Sequence, residues 1–118
     1  MRTVLIADND KGVLEYLDAF ISSLNYFVAT ATNAHDVFRL VKIVRPDMII
    51  IADDLEGASV NGVCARLQQE VGSAVPLIVS TEDETMSPDA SCSIVVKKPF
   101  SKQRLKNLVL NLAPQLFI

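Results

Sequence analysis

Four short stretches of the sequence carry side chains able to handle a cation or an anion: Asp8-Asn9-Asp10, Ala52-Asp53-Asp54, Ser80-Thr81 and Lys98-Pro99-Phe100. Carboxylates offer hard oxygen donors to a divalent cation, and a carboxamide offers a weaker one. A hydroxyl and an ammonium can neutralise the oxygens of a phosphoryl group during its transfer. Taken singly, each of these acids reads as a solvated loop residue. Brought to one place, the set would make a pocket for a divalent cation and a phosphoryl group.

Other chemistry is poorly provided for. His35 has no second histidine or suitable cysteine near it in sequence and reads as a surface residue. Cys64 and Cys92 lack metal-ligand or redox spacing and read as small hydrophobes of a reduced, cytoplasmic protein. No Ser-His-Asp or Cys-His arrangement has a credible partner. A nucleotide or flavin binder wants a glycine- or hydroxyl-rich cradle after its first strand. Asp8-Asn9-Asp10 presents negative charge there instead, which leaves a flavodoxin-like nucleotide or flavin binder as a minor alternative.

The elements that must position these groups alternate along the chain. Val4-Leu5-Ile6-Ala7 is a short apolar run, as expected of a strand covered on both faces. Val13, Leu14, Leu17, Phe20, Ile21 and Leu24 then follow helical spacing. Tyr26–Ala31 reads as a second strand, and Asn33 caps a helix bearing Val37, Leu40, Val41 and Val44. Pro46 closes that helix before the strand Met48-Ile49-Ile50-Ile51-Ala52. A turn-rich stretch from Asp53 to Asn61 leads to a helix with Val63, Leu67 and Val71. Pro76–Ser80 and Ile94–Lys97 are the fourth and fifth strands. Ser101 caps a last helix with Leu105, Leu108, Val109 and Leu112, ended with help from Pro114. Five strands alternating with helices imply right-handed crossovers and a mostly parallel sheet, whose chemistry gathers outside the carboxyl ends of its strands. The four polar stretches all fall at such ends. Between strands four and five, Thr81–Ser93 is acidic and turn-forming, so the helix expected there is short or absent.

Composition is consistent with one α/β domain over residues 1–118. Half the residues are apolar, about a fifth are charged, and 11 basic side chains stand against 14 acidic ones for a net charge of −3. This suits a globule that needs no disulfide or metal staple, and it excludes a disordered tail or collagen-like rod. The acidic balance argues against nucleic acid as a partner of this domain. No apolar run approaches the roughly 20 residues needed to cross a bilayer, so no membrane association is expected.

The order and spacing of Val4-Leu5-Ile6-Ala7-Asp8-Asn9-Asp10, Arg45-Pro46-Asp47-Met48-Ile49-Ile50-Ile51, Pro76-Leu77-Ile78-Val79-Ser80-Thr81 and Val96-Lys97-Lys98-Pro99-Phe100 resemble the receiver domains of two-component response regulators over essentially the whole chain. The resemblance implies a flavodoxin-like (CheY-like) doubly wound sheet of five parallel strands in the order 2-1-3-4-5, with a cis peptide at Lys98-Pro99. It implies signal transduction in a phosphorelay rather than enzymatic turnover, with a sensor histidine kinase or another signalling protein as partner. In that family an aspartate ending strand three accepts a phosphoryl group, two acids after strand one help bind Mg2+, and a hydroxyl and a lysine contact the phosphoryl oxygens. By this likeness Asp8 is the first acid, Thr81 the hydroxyl and Lys98 the lysine.

The pattern is broken at two of its positions. The second acid is Asn9, a weak donor to a hard cation. The acceptor position, six residues after Pro46, holds Ala52, whose methyl group can neither attack phosphorus nor ligate a metal. Counting back eight residues from Gly62 reaches Asp54 instead, and Asp53 lies between. The short strand from Met48 favours Ala52, giving a degenerate receiver that signals by contact and takes no cofactor. Asp54 or Asp53 would make it a phospho-accepting receiver that takes Mg2+. Val95 replaces the aromatic residue often found three positions before the lysine. Lys97, Lys98, Lys102, Arg104 and Lys106 make the last segment basic. Asp10 either assists Asp8 or favours the N-terminus of the first helix.

Overall fold

A computed structural model describes residues 2–83 and 94–115. The strands are β1 (Thr3–Ala7), β2 (Phe27–Ala31), β3 (Met48–Ala52), β4 (Leu77–Thr81) and β5 (Ile94–Lys97). The helices are α1 (Lys11–Ser23), α2 (Ala34–Val44), α3 (Val60–Val71) and α4 (Lys102–Leu112). The five strands form one sheet in the order β2-β1-β3-β4-β5, every neighbouring pair parallel. The parallel sheet is the one expected from the alternating pattern, and its doubly wound flavodoxin-like order is the one the resemblance to receiver domains implies. The short or absent helix expected between strands four and five falls on residues 84–93, outside the described residues. Cys92 and the apolar tail Leu116-Phe117-Ile118 also lie outside them.

Side chains of a strand alternate between its faces, and the two halves of the core follow that period. Leu5, Ala7, Ile49, Ile51, Leu77 and Val79 face α2 and α3, where they meet Val37, Val41, Val63, Cys64 and Leu67. Val4, Ile6, Met48, Ile50, Ile78 and Val96 face α1 and α4, where they meet Leu14, Leu17, Ile21, Leu105 and Val109. Being covered on both sides is what makes β1, β3 and β4 read as continuous apolar runs. Phe27, at the start of edge strand β2, stays largely exposed.

Each helix is started by a side chain accepting from its orphan N–H groups. Asp10 caps α1, Asn33 caps α2, Ser59 caps α3 and Ser101 caps α4. Asp10 is thus occupied with the amides of Gly12 and Val13, at 2.8 and 3.3 Å. At the far end of the sheet, Asp47 accepts from the Thr3 amide at 2.8 Å and pairs with Arg2 at 3.1 Å. The buried Tyr26 hydroxyl donates to the carbonyl of Ala113 at 2.6 Å, fastening the end of α4 to the start of β2.

Burial raises the Tyr26 pKa above its usual 10.0, with nearby Arg2 pulling the other way. A raised phenol pKa holds its proton more tightly in the folded chain, so its contribution is complete below pH 10 and is lost as pH climbs through the raised value. Tyr26→Phe is expected to cost about 1 kcal/mol at neutral pH by removing a bond to a buried carbonyl. It is also expected to flatten the fall in stability above pH 10, both read from urea unfolding across pH.

Candidate functional site

The carboxyl ends of β1, β3, β4 and β5 bring the expected residues to one edge of the sheet. Asp8 follows β1 and is only 3% exposed. Its Oδ2 accepts from Lys98 Nζ at 2.7 Å, and its Oδ1 accepts from the Asp10 amide at 2.9 Å. Lys98 reaches it from just beyond β5, where its own amide donates to the Thr81 carbonyl at 2.7 Å and a cis peptide leads into Pro99. The lysine side chain is 14% exposed, so this ion pair is largely withdrawn from water.

Strand alternation sorts the remaining residues. Ala52 has the parity of Met48 and Ile50, and Asp8 that of Val4 and Ile6, which face α1 and α4. Lys98 shares the parity of Val96 on the same face. The pairing of β3 with β4 runs unbroken to Ala52 opposite Ser80, with no bulge to shift it. Ala52 is fully buried. Asp53 and Thr81 have the parity of Ile51 and Val79, which face α2 and α3. They pair with each other: Thr81 Oγ1 donates to Asp53 Oδ2 at 2.6 Å and accepts from the Asp83 amide at 2.9 Å. Asp54 is exposed.

Asn9 has a use that residue type alone does not reveal. Its amide nitrogen donates to the Asp54 carbonyl, and its Oδ1 accepts from the Glu56 amide at 3.0 Å. The Glu56 carbonyl in turn accepts from the Ala34 amide at 2.8 Å, at the start of α2. One carboxamide therefore ties the loop after β1 to the loop after β3, and that loop to α2. Within it Gly57 has φ +104°, and a Cβ there would meet Ala34 at 3.4 Å, so the tight turn favours glycine. Lys97 Nζ donates to the Asp83 carbonyl at 2.5 Å, across the β4–β5 edge. His35 is exposed and Cys64 fully buried.

For a Mg2+ ion, which takes near-octahedral oxygen coordination, the face shared by Asp8 and Lys98 offers few donors. Both oxygens of Asp8 are engaged, one by an ammonium. Both polar atoms of the Asn9 side chain are engaged by backbone. Ala52 supplies no donor. Among the described residues no group of three or more His, Cys, Asp or Glu side chains is placed to hold a metal.

The chain matches the response regulator receiver domain over residues 4–110. It is 28% identical over 108 residues to the probable transcriptional regulator ycf27 of Guillardia theta, covering 87% of this chain and 42% of that protein. It is likewise 28% identical over 109 residues to the response regulator MprA of Mycolicibacterium vanbaalenii, covering 86% of this chain and 46% of that one. The chain thus spans less than half the length of these curated relatives. Its fold superposes on the response regulator TrrA of Thermotoga maritima, solved in complex with Mg2+ and BeF, with a TM-score of 0.85, 22% identity and coverage of 95% and 99% of the two chains. The chain belongs to the response regulator receiver domain family.

Two measurements test this geometry. Lys98→Ala strands the buried Asp8 carboxylate and is expected to cost about 3–5 kcal/mol, most of it recovered in the Asp8→Ala/Lys98→Ala double variant, by denaturant unfolding. Asn9→Ala removes two loop-bridging bonds; it is expected to cost about 1–2 kcal/mol and to speed hydrogen exchange at the Glu56 amide.

Proposed function

We propose that this receiver domain works as a phosphorylation-independent contact module in two-component signalling. The observation that carries this reading is the side-chain parity at the strand ends. The residue sharing a face with Asp8 and Lys98 is Ala52, and a methyl group has no lone pair with which to attack phosphorus. The Asp8–Lys98 pair supports the same reading. In the absence of a third charge the ammonium satisfies the carboxylate directly, and no strongly negative cluster is left over to draw in a divalent cation. Asn9 adds to it by holding, with neutral hydrogen bonds, two loops that would otherwise need another link. The partners of such a module are a sensor kinase or another signalling protein, engaged through surface complementarity rather than through a phosphoryl switch.

A second reading rests on one contact. The 2.6 Å bond between Thr81 and Asp53 puts a carboxylate beside the hydroxyl that the family's pattern pairs with the acceptor. Under this reading Asp53 is the acceptor and the Asp8–Lys98 pair must part to let a phosphoryl group in.

Incubation with acetyl phosphate and Mg2+ followed by intact-mass measurement separates the two. The expected result is no gain of a phosphoryl mass, in the wild type or in Asp53→Asn. A stoichiometric adduct in the wild type that vanishes in Asp53→Asn would establish the second reading and reject the first.

A further inference from the structure

The face of the domain formed by α2 and α3 is one of two basic surfaces on a chain of net charge −3, the other being the Lys97–Lys106 segment. Arg39, Lys42, Arg45 and Arg66 are four of the chain's eleven basic residues, whereas only Asp36 and Glu70 of its fourteen acids stand among them. The ion pairs within the patch are long and exposed: Arg39–Asp36 at 3.6 Å, Arg66–Glu70 at 3.5 Å and Lys42–Glu70 at 3.9 Å. Such pairs contribute little stability and are easily exchanged for a better partner. Glu70 serves two cations at once. Two adjoining depressions of about 420 and 410 Å3 run along this face and share Lys42 as a common wall.

Apolar surface is set into the same patch. Ile43 is 66% exposed, the most exposed of the large hydrophobic side chains described. The Phe38 ring lies under the Arg66 guanidinium at 3.8 Å, a cation–π contact that holds the arginine's charge over the groove. Arg45, in the left-handed region at φ +48° where α2 ends, lines the end of the groove with a further cation. Nothing in the Asp8–Lys98 site requires these residues, which lie along helices rather than at the strand ends.

We infer that the α2–α3 face is a docking surface for an acidic, amphipathic segment of a partner protein. Its carboxylates would meet Arg39, Lys42, Arg45 and Arg66 while an apolar side chain covers Ile43 beside Phe38. Charge complementarity selects an acidic occupant for this locally positive surface, and the exposed Ile43 set among its cations, which the basic segment Lys97–Lys106 does not offer, selects an amphipathic one. The same observations disfavour nucleic acid. Asp36 and Glu70 would stand against a phosphate backbone, and the exposed Ile43 would gain nothing from one. The inference rests on the reading of the domain as a contact module, but the two fail separately. A phosphoryl adduct would reject that reading without moving any binding measured at this face.

The test is titration of the 118-residue chain with a synthetic peptide of glutamates and leucines at helical spacing, followed by backbone amide shifts. Saturable shifts confined to α2 and α3 are expected, with affinity falling about ten-fold or more between 0.05 and 0.3 M salt. Arg39→Glu/Lys42→Glu should abolish binding, since both side chains are exposed and the fold does not depend on them. Lys102→Glu/Lys106→Glu, the same charge change on α4, should retain it. Ile43→Ser should weaken binding several-fold at unchanged charge. Absence of saturable shifts, shifts centred on α4, equal loss in the two charge-reversed variants, indifference to Ile43→Ser, or tighter binding of a short DNA duplex than of the peptide would each overturn the inference.

Discussion

A parallel sheet buried on both faces leaves each strand residue only two directions in which to point. That two-way choice organises this domain. Val4 and Ile6 must face one helix pair because Leu5 and Ala7 face the other, and the same holds down β3 from Met48 to Ala52. A slip of one residue in β3 would turn every apolar side chain of its run to the wrong layer. The core therefore fixes the register of β3, and the register then decides which side chain arrives beside Asp8 and Lys98. The active edge inherits its chemistry from packing several residues away. An alanine there is as well buried as the isoleucines before it.

The polar residues of the edge are bonded to one another and to backbone. Asp8 and Lys98 meet across the gap and satisfy one another, Asp53 takes the Thr81 hydroxyl on the opposite face, and Asn9 bridges two loops through neutral bonds. Every one of these groups has found a partner within the chain, and no buried side-chain polar atom among the described residues lacks one. On the proposed reading, an edge paired in this way has little to gain from an outside ion or anion. That is the physical sense in which the domain keeps the receiver architecture while its proposed work moves to a surface.

Much of this was legible in the residues. Among the described residues the apolar runs placed the five strands to within a residue, because burial on both faces leaves an unambiguous pattern, while α3 begins at Val60, inside the stretch read as turn, where its Ser59 cap went unread. Asn33 and Ser101 announced their helices by residue type. The strand-four boundary fell one residue early, since Thr81 is polar and only its backbone pairing reveals that the strand continues through it. The choice among Ala52, Asp53 and Asp54 could be framed but not closed by counting, because Gly62 and Pro46 point to different registers. In the structure Gly62 sits within the first turn of α3, its amide donating to the Ser59 hydroxyl oxygen. The two hydrogen bonds of Asn9, to the Asp54 carbonyl and from the Glu56 amide, left no trace in the sequence: a carboxamide beside an acid looks like a poor metal ligand until its partners, some 45 residues away, are in place.

One contact far from this edge bears on how the domain carries load. Arg2 Nε donates to the Pro114 carbonyl at 3.1 Å, so the first described residue touches the penultimate one, with the Tyr26 hydroxyl fastened to Ala113 beside them. Tension applied through the two ends would load these two bonds before it reached the packing of α4 against the sheet.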